Sequence, residues 1–328
     1  MQIFDRRVHL ITGKGGVGRT SVTAGLALAI ARGGKRVLAL EIGDPEGGHS
    51  ALGRMFGHDT LNEVPREVAP GLHACQLWAP SGHESFLRSV LPSGALVLAA
   101  LRSKALQRFL VAAPSFHEMG IFYHLLSLLR ARHGGHGSQA PKHEAIVIDM
   151  PATGHTLALT SLPDILLRLV PGGVIANAMR EGQACLNDPA QTNAWIVTLP
   201  EQLPISEAIE LLDGLHETRI PVGGFLLNRY PDEPFDDDER AALEARLALG
   251  PLRGLRSWRR IEATRRSSER LHRAVDLPVY TLAELSEPTG VSTIVTAPLG
   301  DARPGAATGG FPVRDHLAAS FAALSGGS

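Results

Sequence analysis

The chain has 328 residues, 44% of them hydrophobic and 20% charged, with a formal net charge of −1, so composition gives no global attraction toward nucleic acid or an anionic membrane. Its two cysteines, Cys75 and Cys185, lie far apart, which excludes a disulfide framework and a Cys-x-x-Cys metal or redox pair. Every apolar run is broken before spanning length and no signal peptide precedes the first motif, so a cytoplasmic location is expected.

Residues 8–11, Val-His-Leu-Ile, predict a buried strand. The run Gly13-Lys14-Gly15-Gly16-Val17-Gly18-Arg19-Thr20 follows at once, and from Ser21 to Arg32 the chain is rich in Ala and Leu, a helix stopped by Gly33 and Gly34. Strand, glycine loop and helix are the setting of the phosphate-binding pattern G-x-x-x-x-G-K-[ST], with Gly13 and Gly18 at its glycines and Thr20 at its end. Small residues let consecutive N–H groups wrap an anion, and the positive end of the helix aims at the same place. A triphosphate fits this geometry, and Thr20 is placed to hold Mg2+ through its hydroxyl. Two residues depart from the pattern. Arg19 stands where it asks for Lys, and a planar fork cannot replace a thin-stemmed ammonium without shifting the loop; nucleotide binding is expected to survive and hydrolysis to be slowed. Lys14 stands where the pattern asks for nothing.

Residues 37–41 predict a second strand, leading into a turn-rich loop over 42–49. Asp44 lies just beyond the strand end, where ligands of open parallel sheets collect. It is a candidate to orient or deprotonate an attacking water, and equally an Asp-Pro turn former. Residues 71–77 read as another strand. From 84 to 132 the spacing is helical: Phe86, Leu87, Val90 and Leu91, then Leu106, Phe109 and Leu110, then a broad stripe from Ile121 to Leu129. This predicts an inserted helical subdomain whose apolar faces pack on the parent domain or a partner subunit, or line a client groove. The histidines of 133–143 lack the acidic or thiol partners of a metal site.

Residues 145–149 predict a buried strand ending in Asp149, placed as outer support for Mg2+. Pro151 and Gly154 shape the next segment into a loop suited to moving with the γ-phosphate, and His155 reads as a backbone-bonded loop histidine. A strand over 194–199 precedes a helix opened by Ser206 and Glu207. A strand over 222–227 ends at Asn228, whose amide suits the edge of adenine or a turn before Pro231. A helix with an acidic opening runs from 236 to 249. Residues 252–273 hold eight arginines and no lysine, with Arg259, Arg266, Arg270 and Arg273 on one face; a solvated or acid-paired surface outweighs a phosphate or nucleic-acid patch. Residues 277–280 read as the last strand, 300–312 as a linker rich in Gly, Pro and Ala, and 313–324 as a short terminal helix.

These stretches resemble the ArsA/GET family of P-loop ATPases, which holds the arsenite-pump ATPases and the tail-anchored-protein targeting factors, and are most similar to its bacterial anion-transporting-ATPase-like branch. Residues 13–20 resemble the family's deviant Walker A loop. Asp149-Met-Pro-Ala-Thr-Gly-His-Thr-Leu157 resembles its switch II and is the most specific match. Residues 198–208 and 226–231 resemble two further family blocks, and 112–118 a worn form of the segment leading into the helical subdomain. The resemblance covers residues 8–285. It implies an α/β P-loop NTPase fold, a mostly parallel twisted sheet flanked by helices: one ATPase domain over 1–300 with a helical insertion at about 84–132, then a linker and short helix over 301–328.

It also implies a nucleotide sandwich dimer binding ATP or ADP with Mg2+. Gly13, Lys14, Gly15, Gly16, Val17, Gly18, Arg19, Thr20, Ser21 and Asn228 would contact the nucleotide, with Thr20 and Asp149 at the metal. Lys14 would reach the partner's phosphates, Asp44 would be the switch I aspartate that activates water, and Asn228 would contact the base. The chain lacks the zinc-binding Cys-x-x-Cys pair of the eukaryotic targeting factors, a cysteine triad for arsenite or antimonite, and an iron–sulfur pattern. The leading reading is therefore an ATP-gated dimeric switch with slow or impaired hydrolysis, coupled to a hydrophobic or membrane-protein client. The alternatives are a degenerate nucleotide-binding subunit that heterodimerises with an intact paralogue, and a ParA/MinD-like positioning ATPase. The helical insertion argues against the last, and nucleic acid is not expected as a partner.

Overall fold

The computed structural model describes residues 6–104, 116–133, 140–169, 171–231, 235–250, 255–284 and 311–326. Its strands are β1 Val8–Gly13, β2 Val37–Ile42, β3 Arg66–Ala69, β4 Leu72–Leu77, β5 Ala145–Asp149, β6 Thr192–Thr198, β7 Val222–Tyr230 and β8 Val279–Ala283. They form one eight-stranded sheet in the order β3-β4-β2-β5-β1-β6-β7-β8, parallel except for the β3–β4 pair at one edge. This is the α/β fold of a P-loop NTPase. The central strands are near-continuous runs of Val, Ile, Leu and Ala because helices cover both faces. Successive side chains divide between two cores: Ile146 and Ile148 join one, Ala145 and Val147 the other.

One face carries α1 (Arg19–Arg32) and α11 (Phe311–Gly326). Helix α1 buries every residue from Val22 to Ala31, since the sheet lies on one side and α11 presses on the other. A Cβ on Gly25 would fall 2.5 Å from the Leu317 Cβ, so only glycine lets the two helices approach this closely. The short α2 (Ala51–Arg54) completes this side through Leu52. The opposite face carries α3 (Ala79–Val90), α4 (Gly94–Arg102), α5 (Phe116–Arg130), α6 (Thr153–Leu169), α7 (Gly173–Leu186) and α8 (Gln202–Glu217). Helices α9 (Asp237–Ala248) and α10 (Leu255–Ala274) lie between β7 and β8 in the chain. Asp236 caps α9 with a full capping box to Glu239, which is why the acidic run opens a helix there.

Helix α3 begins at Ala79, before the 84–132 stretch whose spacing is helical, and α4 and α5 fall inside that stretch. The stripe on α5 is core: Met119, Ile121, Phe122, Leu125 and Leu126 are all buried. Leu106, Phe109, Leu110 and 112–115 lie outside the described residues, as do 134–139 and the linker through residue 310. Several local expectations shift, among them the strand expected to end at Asn228, which runs on to Tyr230. The edge strand β3 carries no apolar alternation and was not legible. The loop expected after Asp149 is short, because α6 begins at Thr153. Helix α8 opens at Gln202 rather than Ser206, with Pro204 tolerated in a first turn whose N–H has no intrahelical acceptor. The last strand runs to Ala283 rather than ending at Tyr280. No helix among the described residues is long and apolar enough to cross a membrane.

Candidate functional site

Strand β1 delivers Gly13 to the loop at φ +150°, where a Cβ would lie 2.3 Å from the Val197 carbonyl oxygen of the neighbouring β6. Gly18 sits at φ +91° and caps α1 with no side chain of its own, so the first N–H groups of that helix are left for an anion. A Cβ on Gly18 would come within 2.4 Å of Asn228 Nδ2. Asn228, buried at the end of β7, donates from Nδ2 to the Val17 carbonyl at 2.9 Å and ties the loop to the sheet. Behind the loop, Thr12 Oγ1 donates to Thr156 Oγ1 at 3.2 Å, and Thr156 donates to the Pro151 carbonyl at 2.8 Å. The loop strand and the start of α6 are thereby coupled.

Parallel register sets Asp149 of β5 opposite Ile11 of β1 on one side and Glu41 of β2 on the other. Thr20 Oγ1 donates to Asp149 Oδ2 at 2.6 Å, while Asp149 Oδ1 is buried without a partner. Burial pushes this carboxyl group up to about 6, with Glu41 adding to the rise and the Thr20 hydroxyl and Arg19 opposing it. A buried carboxylate oxygen with no donor, beside a threonine hydroxyl, fits a hard cation. Among the described residues no group of three or more His, Cys, Asp or Glu is arranged to hold a metal, so Mg2+ here would draw its remaining ligands from phosphate and water. Of the 133–143 histidines, His143 is buried against His73, their ring centroids 5.4 Å apart, and 134–139 lie outside the described residues.

Both cations of the loop are engaged within the chain. Arg19 Nη1 donates to the Met150 carbonyl, and burial lowers the guanidinium's pKa against the pull of Asp149. Its head is turned onto the first residue after β5. Lys14 Nζ pairs with Glu207 Oε1 on α8, and the other oxygen of Glu207 is buried with no partner. Asp44 is exposed and makes its polar contacts within its own turn: its Oδ1 accepts from the Glu46 N–H at 2.9 Å and its carbonyl from the Gly47 N–H at 3.0 Å. His155 is likewise exposed. The structure thus brings Lys14, Arg19, Thr20, Asp149 and Asn228 around the glycine loop, and places Asp44 in an adjoining turn.

Sequence reasoning missed two residues. Glu41 is buried and accepts from the Ser50 hydroxyl, the Leu52 N–H at 2.8 Å and Gln76 Nε2 at 2.8 Å, fixing both ends of the Asp44 loop. Its position as a strand-terminal acid was the available signal. Glu207, paired with Lys14, carried none, since its partner is far away in sequence.

The family profile described as anion-transporting ATPase matches residues 6–172, which contain the glycine loop, Asp149 and helices α3, α4 and α5. The chain is similar to ATPase BagA of Mycobacterium tuberculosis, 27% identical over 228 residues that cover 68% of this chain and 65% of that protein. It is similar to ATPase GET3C of Arabidopsis thaliana, 25% identical over 277 residues, 70% of this chain and 68% of the relative. It is also similar to the arsenical pump-driving ATPase of Escherichia coli, 26% identical over 290 residues, 87% of this chain but 42% of the relative. The match spans a little less than two thirds of the mycobacterial protein's length.

Proposed function

Because this chain belongs to the anion-transporting ATPase family, we propose that it is an ATP-gated switch: it binds ATP with Mg2+ at the glycine loop, closes into a dimer around the nucleotide, hydrolyses slowly if at all, and couples closure to a hydrophobic or membrane-protein client. The observation that carries this reading is the Thr20–Asp149 pair beneath the loop, with one carboxylate oxygen left unpartnered. The amides from Gly15 to Thr20 and the first turn of α1, with Ser21, cradle the phosphates. Thr20 and Asp149 would hold Mg2+, which would supply neutralisation of phosphate charge. Asn228 has committed Nδ2 to Val17, leaving Oδ1 to accept from the amino group of adenine.

The positions of the two loop cations support the reading of slow hydrolysis. Arg19 is anchored on Met150, so the compact charge a lysine would bring to the phosphates is absent. The same anchor couples the phosphate loop to the segment leading into α6. Lys14 serves the partner protomer, a second copy or a paralogue, and must leave Glu207 to do so. Asp44 reaches an attacking water only after its turn opens. A client with apolar surface is favoured by the exposed Leu96 and Leu98 of α4 and Ile165 and Leu169 of α6. The Arg19 anchor also favours a second reading, a degenerate subunit that needs an intact paralogue.

Calorimetry with Mg-ATP, together with turnover by the purified chain alone, tests both. Binding that Gly18→Val abolishes, with slow turnover that Arg19→Lys accelerates, supports the switch. Binding without turnover in either form supports the degenerate subunit. Absence of binding, or binding unaffected by Gly18→Val, overturns both.

A further inference from the structure

At the carboxyl-terminal ends of β6, β7 and β8 a cavity of about 710 Å3 opens between the start of α8 and the flank of α10. Four guanidinium groups line it, Arg229, Arg260, Arg266 and Arg270, against the carboxylates of Glu201 and Glu284. Arg260 is taken by Glu284 at 2.7 Å. The other three have no carboxylate partner among the described residues. Arg266 donates from Nε to the Glu262 carbonyl at 3.2 Å, and Arg270 from Nη1 to the Gln202 carbonyl at 3.4 Å; each contact fixes one nitrogen and leaves the rest of the fork free.

Two further features point the same way. Arg229 holds φ +54°, a left-handed conformation that a side-chain-bearing residue adopts at a cost and that gathers at functional sites. The cavity also receives the first residues of α8, whose N-cap, Glu201, makes no side-chain capping bond, so the positive end of a 16-residue helix opens onto it. Cations converging from β7 and α10 on an uncapped helix start repel one another until an anion enters.

We propose that this cavity is a binding site for a small organic phosphate, separate from the triphosphate in the glycine loop. Guanidinium forks match phosphate oxygens bidentately. Leu199, Pro200 and Ala263 offer an apolar wall to a carbon skeleton, and the volume suits a ligand of metabolite or nucleotide size. A nucleic acid is the weaker fit. On α10, Arg265 and Arg273 are both held by Glu269, while the cavity's own arginines converge on a recess. The cavity shares no lining residue with the loop over 13–21, although Arg229 adjoins Asn228, and the proposal does not rest on ATP hydrolysis or dimerisation.

The test is calorimetry on the full chain with inorganic pyrophosphate and with fructose 1,6-bisphosphate, after the loop has been saturated with a non-hydrolysable Mg-ATP analogue. The expected result is one equivalent of added anion bound in the presence of the analogue. Affinity should be at least about 10-fold weaker in Arg266→Ala/Arg270→Ala and intermediate in the double lysine variant, which keeps charge but not the fork. Circular dichroism and analogue affinity should be unchanged in both. The proposal is overturned if the analogue blocks the anion, which would make the cavity part of the nucleotide's own site, or if neither anion binds. It is equally overturned if the alanine variant binds like the parent, or if a duplex oligonucleotide rather than either small anion loses affinity in it.

Discussion

Replacing Asp149 with Asn should stabilise the nucleotide-free protein while disabling it. The carboxyl group is raised from 3.8 to about 6, chiefly by burial, and only one of its oxygens has a donor. Keeping it ionised at neutral pH therefore costs folding free energy: a rise of about 2 units corresponds to roughly 3 kcal/mol. Asn removes that cost and its carbonyl still accepts from Thr20, so denaturant unfolding at pH 7.5 should show a gain of up to about 3 kcal/mol. The dependence on pH has a definite sign. Because the folded pKa lies above the unfolded one, the parent recovers stability by protonating as pH falls, so the advantage of Asn shrinks to about half near pH 5 and vanishes below about 4. Addition of Mg-ATP should reverse the order at pH 7.5, since only the parent holds the metal and gains binding free energy. A loss of stability at pH 7.5 in the nucleotide-free variant, or equal protection of both proteins by Mg-ATP, would refute the assignment of Asp149 as a buried, cation-seeking carboxylate.

Asn228→Ala removes the tether on Val17 and should weaken Mg-ATP binding about 10-fold by calorimetry, with about 1 kcal/mol lost from stability. Glu207→Gln breaks the half-exposed pair with Lys14, so thermal melts should move by less than about 1 kcal/mol equivalent, whereas sedimentation should show nucleotide-dependent dimers at lower protein concentration because Lys14 is released. His9 is fully buried, accepts from Trp195 Nε1 at 3.2 Å and is driven by burial down to about 4. Its folded pKa lies below its unfolded value of 6.5, so its contribution is complete above pH 6.5 and is lost toward pH 4, about 3 kcal/mol in all. His9→Gln keeps an acceptor for Trp195 and should flatten the stability profile over that window relative to the parent; parallel profiles would refute the buried neutral histidine. Comparing the two proteins also cancels the opposite trend from Asp149.

The strand, glycine loop and helix over residues 8–32, the strand-terminal Asp149 and the helical character of α4 and α5 were all written in contiguous residues. Apolar runs, phosphate-cradling amides and a helix dipole are local consequences of local sequence. The edge strand β3, half exposed and without alternation, had no such signature, and the first turn of α8 was hidden by its proline. Only the tertiary structure decided which groups meet in the site. Thr20 and Asp149 are 129 residues apart, Lys14 and Glu207 are 193 apart, and Val17 and Asn228 are 211 apart. Parallel register across β5, β1, β6 and β7 lines up their strand ends on one edge of the sheet. Whether Asp44 forms a turn, whether Arg19 faces phosphate or Met150, and which arginines of α10 remain unpaired depend on partners that chain order does not bring near, and packing alone supplies them.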